Sequence, residues 1–123
     1  VPATDLLDNV ILQSARTVDD QLHIIINELP PLIAKHGVKL VIVDSMSALF
    51  RSGLGSGRQA IHVRSDMLLR MAQAMKQMNE NQNCVFVVVN QVSAQMGGGS
   101  RQNQPALGLL WSNCINSRYM LHR

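Results

Sequence analysis

The sequence predicts an α/β fold, a mostly parallel sheet flanked by helices. Three observations carry that reading. Two short aliphatic runs, at 40–43 and 84–89, are continuous rather than alternating, which suits strands buried on both faces. Both runs end abruptly in polar residues, Asp44 after the first and Asn90-Gln91 after the second. Apolar residues at helical spacing fill the stretches before and between them, and strands alternating with helices imply parallel pairing through crossovers.

Each element follows in order. Residues 9–13 form a short apolar run bounded by polar residues and read as a strand. Thr17 then precedes Val18-Asp19-Asp20, a capping box with Asp in place of Glu. Val18, Leu22, Ile25, Ile26, Leu29, Leu32 and Ile33 keep a helical period, Pro30-Pro31 should kink or restart that helix, and Gly37 should end it. The strand at 40–43 follows, then one helical turn over 45–50. Residues 51–59 are Gly- and Ser-rich and read as a loop. A second helix fits 61–81, with Ile61, Leu68, Met71, Met75 and Met78 on one face. Residues 84–89 are the next strand, 93–104 a second polar, Gly-rich loop, 105–113 a mixed segment with room for a short helix, and 117–122 a last strand.

Composition narrows the function classes. The chain has 123 residues, 46% of them hydrophobic and 15% charged, which suits one domain and excludes disorder as the main state. Aromatics are only 3%, so the core must be aliphatic. No apolar run approaches the roughly 18 residues that a membrane span needs. The first residues lack the pattern of a signal peptide and an initiator Met, so a piece of a longer chain is expected. A net charge of +3 permits nucleic-acid binding without establishing it. Cys84 and Cys114 sit in apolar surroundings with no CxxC spacing, and read as buried free thiols in a reducing compartment.

In an open parallel sheet, ligands bind beyond the carboxyl ends of the strands. Four aliphatics followed by Asp44 make a pattern that suits magnesium, because a rigid strand can hold one carboxylate where it orients the ion through water. The plainer reading of Asp44 is an N-cap for the turn beginning at Ser45. A GxxxxGK[ST] phosphate loop is absent, so nucleotide affinity from this chain alone should be poor. Arg51, Arg58, Arg64 and Arg101 lie in or beside the two loops, as a DNA footprint or as solvated charge, without aromatics for base stacking. His23, His36, His62 and His122 lack metal-ligand spacing, and no GxSxG surrounds Ser45. The methionines read as core, and Trp111 as core or as a subunit contact.

Residues 41–45, then Phe50-Arg51 and a Gly-rich loop, a long helix, residues 88–92 and a second loop together resemble the core of RecA-like recombinases. Leu49-Phe50-Arg51, and the stretch from Pro105-Ala106-Leu107-Gly108 through Trp111 and Asn113 to Ser117-Arg118-Tyr119, resemble the eukaryotic recombinase paralogs. The likeness covers residues 9–123. It implies a RecA-like P-loop ATPase core, here its C-terminal portion over 1–123, with the Walker A segment and catalytic glutamate upstream.

The resemblance also implies roles and partners. Asp44 matches the Walker B carboxylate and metal ligand; Asp44, Ser45 and Gln91 form the nucleotide set, with Gln91 sensing the γ-phosphate. Arg51 to Arg58 match the first DNA-facing loop and 93–104 the second, giving Arg51, Arg58, Arg101 and Gln104 as DNA contacts, although both loops are short for the family. The implied cofactors are ATP and Mg2+. The implied partners are a C-type recombinase paralog, as a heterodimer, and single-stranded or branched DNA, with no membrane. The implied function is homologous-recombination repair in the nucleus, with the cytoplasm as a second location. A DNA-dependent ATPase activity comes with the family, this chain alone being inactive. The rival is a non-catalytic scaffold subunit with a vestigial nucleotide site; another RecA-type ATPase, such as a helicase core, fits the Trp111-to-Asn113 stretch less well.

Overall fold

Thr17 starts the helix α1 (Val18–His23) through the capping box that the sequence predicts. Its hydroxyl accepts the Asp20 N–H at 3.0 Å, and one Asp20 carboxylate oxygen accepts the N–H groups of Thr17 at 3.0 Å and Arg16 at 3.1 Å. The Arg16 N–H, then the Thr17 hydroxyl and N–H, hold the Asp20 carboxyl below its ordinary range. These contacts lie within a computed structural model that describes residues 7–52, 57–94, 103–105 and 107–121, with the side chains of 51, 52, 92–94 and 103–105 outside that description.

The helix runs without a break into a π-helical turn (Ile24–Glu28) and then α2 (Leu29–His36). Pro30 and Pro31 fall in the first turn of α2, where a missing N–H costs least, and the widened turn just before them carries the register change. The kink or restart expected at the prolines takes the form of this π-helical turn, and the helix itself is not interrupted. Gly37 closes α2 in the left-handed conformation at φ 63°.

Strand β1 (Leu40–Val43) pairs in parallel with β2 (Val85–Val88), in register from Leu40 opposite Val85 to Val43 opposite Val88. Between them come α3 (Met46–Ser52) and the long α4 (Arg58–Gln82), which ends at Asn83 in the left-handed region at φ 52°. After β2, a short antiparallel pair joins β3 (Val92–Ala94) to β4 (Asn103–Pro105), and α5 (Gly108–Cys114) follows.

The core lies between the helices and one face of the β1–β2 sheet. Ile25, Leu29 and Ile33 meet Leu68, Met71, Met75 and Met78 of α4, and Met46, Phe50, Cys84 and Trp111 complete it. Met46, Met71, Met75 and Met78 are core, as expected, whereas Met120 is exposed; Trp111 is core rather than a subunit contact. Gln82 ties the two helical layers by donating its amide N–H to the Pro30 carbonyl at 3.2 Å.

Five expectations change. Residues 9–13 form no strand, and Val10, Ile11 and Leu12 are exposed, because no described strand lies beside them to complete a ladder. Residues 117–121 likewise pair with nothing described; residue 122 lies outside the described residues. The β1–β2 sheet is buried on one face only: Leu40, Ile42, Val85 and Val87 are exposed, since no described layer covers the other face. Ile61 is 60% exposed on α4, because the residues that α4 buries begin with Leu68, where it meets the other helices. Finally, the predicted loop at 51–59 is shorter, since Arg51 ends in α3 and Arg58 opens α4, and the predicted loop at 93–104 is hydrogen-bonded as a ladder at its base.

Candidate functional site

The carboxyl ends of β1 and β2 lie side by side because the two strands are parallel and in register. Beyond them the backbone stays paired. The Val89 N–H donates to the Val43 carbonyl at 2.9 Å, and the Val89 carbonyl accepts the Met46 N–H at 3.1 Å. The first residue after β2 is thus clamped to the end of β1 and to the start of α3. Asp44 and Ser45 occupy the turn between β1 and α3, joined by a cis peptide. Asn90 and Gln91 occupy the matching turn between β2 and β3.

The structure therefore brings Asp44, Ser45 and Gln91 to one edge of the sheet. Asp44 is exposed and, among the described residues, holds no ion pair; Gln91 is exposed as well. α3 begins at Met46, two residues after Asp44. An exposed carboxylate at the end of a buried-face strand can orient a hydrated divalent cation, which binds one or two carboxylates and keeps several waters. The sequence supplies no GxxxxGK[ST] loop to wrap a triphosphate beside it. Among them no three His, Cys, Asp or Glu side chains gather around a metal position.

Ser47 is the residue that sequence reasoning missed. It is 0% exposed, and its hydroxyl accepts the Gln91 backbone N–H at 3.4 Å. A serine three positions after a strand-ending Asp looks like a surface residue. Only the burial of its neighbours Met46 (0%) and Phe50 (1%), which seat α3 in the core, places it inside.

The predicted DNA residues are spread along elements leaving the same edge. Arg51 lies in the last turn of α3, four residues on from Ser47, and its side chain lies outside the described residues. Arg58 is exposed at the first position of α4, after Gly57, whose φ of 129° favours glycine. Gln104 lies in β4 opposite Ser93, its side chain outside the description, and Arg101 falls outside the described residues altogether. Arg64 is half-buried on α4 and so is withdrawn from a free charged rim. No described helix is long and apolar enough to cross a membrane.

Comparison with known proteins adds identity to this geometry. The Rad51 family model matches residues 1–119. The chain is 26% identical to the DNA repair protein XRCC3 homolog of Arabidopsis thaliana, over 94% of this chain and 45% of that protein. It is 26% identical to mouse DNA repair protein XRCC3, over 94% of this chain and 36% of that protein. It is 32% identical to the meiotic recombination protein DMC1 homolog B of japonica rice, over 98% of this chain and 36% of that protein. The chain spans less than half the length of these relatives.

Proposed function

Because the chain belongs to the Rad51 family, with the α/β fold of that family's RecA-like domain, we propose that it acts in recombinational DNA repair through nucleotide-dependent assembly with another recombinase paralog on DNA. The observation that carries the reading is the paired carboxyl edge, where Asp44 and Gln91 leave neighbouring parallel strands. That edge is where α/β sheets bind ligands.

In this reading Asp44, exposed at the end of β1, would orient a Mg2+ ion through water, and the ion would offset charge on the ATP phosphates. Ser45 sits beside it. Gln91 follows the second strand and opens the segment that includes Arg101 and Gln104, so a contact with nucleotide there reaches a DNA-facing segment directly. Arg51 and Arg58 flank the other segment. All four residues would contact phosphates, without sequence preference. The names of the relatives, two DNA repair proteins and a meiotic recombination protein, support the repair role; a nuclear location, and DNA and a C-type recombinase paralog in a heterodimer as partners, belong to the same proposal.

The test is calorimetric Mg·ATP binding by the natively expressed protein, with sedimentation of its complex with a recombinase paralog, for the wild type and Asp44→Ala. The proposal expects nucleotide binding that Asp44→Ala weakens, and assembly that needs the nucleotide. Assembly that proceeds equally without ATP would establish the rival, a scaffold subunit with a vestigial site.

A further inference from the structure

The carboxyl edge contains a contact that the family-based reading does not use. Two turns leave that edge, one carrying Asp44 and Ser45, the other Asn90 and Gln91. Main-chain bonds at Val89 join them, and so does the Ser47 hydroxyl, which accepts the Gln91 N–H at 3.4 Å. A serine hydroxyl that is 0% exposed cannot exchange that partner for bulk water. The bond lies one residue before β3, whose ladder with β4 brackets residues 95–102.

We infer that Ser47 is a positioning residue that couples the nucleotide edge to both DNA-facing segments. The inference rests on the proposed nucleotide and DNA roles of the edge. α3 is seated in the core by Met46 and Phe50, so it moves as a unit with the end of β1. Arg51 lies one helical turn beyond Ser47 on that unit. Gln91, held by the same hydroxyl, begins the other segment. A shift of Gln91 on contact with nucleotide therefore pulls on Ser47 and, through α3, on the start of the Arg51 segment. Without the hydroxyl, the bond from the Gln91 N–H to α3 is lost, while the bond from the Met46 N–H to the Val89 carbonyl, two residues before Gln91, remains. Ser47 touches neither nucleotide nor DNA in this scheme; it sets the distance between groups that do.

Two measurements on the natively expressed protein test it. In the wild type, the Gln91 amide should exchange slowly with solvent although its side chain is exposed, because the amide is bonded to a buried oxygen. Exchange at the unprotected rate would overturn the inference without any variant being made. The second measurement is the affinity for single-stranded oligonucleotide with and without Mg·ATP, for the wild type, Ser47→Ala and Ser47→Thr. The wild type should bind about fivefold or more tightly with Mg·ATP. Ser47→Ala should keep the nucleotide-free affinity and lose most of that gain, and Ser47→Thr, which retains the hydroxyl, should recover it. An undiminished gain in Ser47→Ala would overturn the coupling while leaving the proposed function intact. No gain in the wild type would instead remove the proposed nucleotide and DNA roles, and the coupling with them.

Discussion

The Val89 carbonyl accepts the Met46 N–H at 3.1 Å, while the N–H of the same residue donates to the Val43 carbonyl at the end of β1 at 2.9 Å. This pair of bonds extends a parallel ladder into the two turns that follow it. It joins the turn that carries Asp44 to the turn that carries Gln91, so the two leave the carboxyl edge as one hydrogen-bonded unit.

Asp44→Ala should leave the fold intact, because the side chain is exposed and the backbone on both sides stays paired. The unfolding free energy should stay within the range of an ordinary surface substitution, about ±0.5 kcal/mol. Magnesium-dependent ATP binding by the natively expressed protein should fall in the same variant.

The 123-residue chain by itself should bind ATP weakly or not at all. It has the exposed carboxylate but no GxxxxGK[ST] loop and no phosphate-binding lysine within it. Calorimetry checks this directly, and micromolar binding by the isolated chain would contradict it.

Phe50→Ala should destabilise the chain by about 3–5 kcal/mol, a large share of a small domain's stability. Phe50 is 1% exposed and, with Met46, seats α3 against the core. Chemical denaturation measures the loss. The Gln91 amide should lose protection in the same variant, since α3 positions its acceptor.

Stability near α1 should depend on acid in a defined direction. The folded Asp20 carboxyl lies below its ordinary value of 3.8, so its contribution is present above that value and is lost as pH falls through the folded one. Thr17→Ala, which removes the reciprocal cap, should cost about 1 kcal/mol at neutral pH. Melts of wild type and Asp20→Asn should differ at neutral pH and converge in strong acid; a gap that persists unchanged would sink this assignment.

Cys84 should resist alkylation and Cys114 should react first. Burial raises the Cys84 thiol above its usual range, against a smaller lowering by Lys39, so little thiolate forms at neutral pH. Cys84 is fully buried, whereas Cys114 is partly exposed. Mass spectrometry after timed iodoacetamide treatment separates the two.

The legible parts of the fold were those fixed by local chemistry. Thr17 and Asp20 announce a helix start, Gly37 its end, and the β-branched run before Asp44 a strand, because each signal acts over a few residues. Residues 9–13 and 117–121 have strand-like patterns but no described neighbour, and a ladder cannot be read from one strand. The open sheet face has the same cause: Leu40 and Val85 look like core in sequence, yet burial depends on a second layer. Of the site, Asp44 and Gln91 were legible because both end aliphatic runs. Ser47 was not, since its role comes from a contact 44 positions away in sequence.

The arginines can be weighed by salt. If Arg51, Arg58 and Arg101 each contact a phosphate, replacing one with Ala should reduce the log-affinity against log-salt slope for single-stranded DNA by about 0.7. Arg64, half-buried on α4, should contribute less. An unchanged slope in the triple variant would leave these side chains as solvated charge.

The central claim is that the edge shared by Asp44 and Gln91 links nucleotide to DNA. The most direct measurement is single-stranded DNA affinity of the natively expressed protein with and without Mg·ATP, for wild type and Asp44→Ala at one salt concentration. The predicted result is tighter binding with nucleotide in the wild type, by about fivefold or more, and no difference in Asp44→Ala. Equal affinities with and without nucleotide in the wild type, or the same gain in Asp44→Ala, would contradict it.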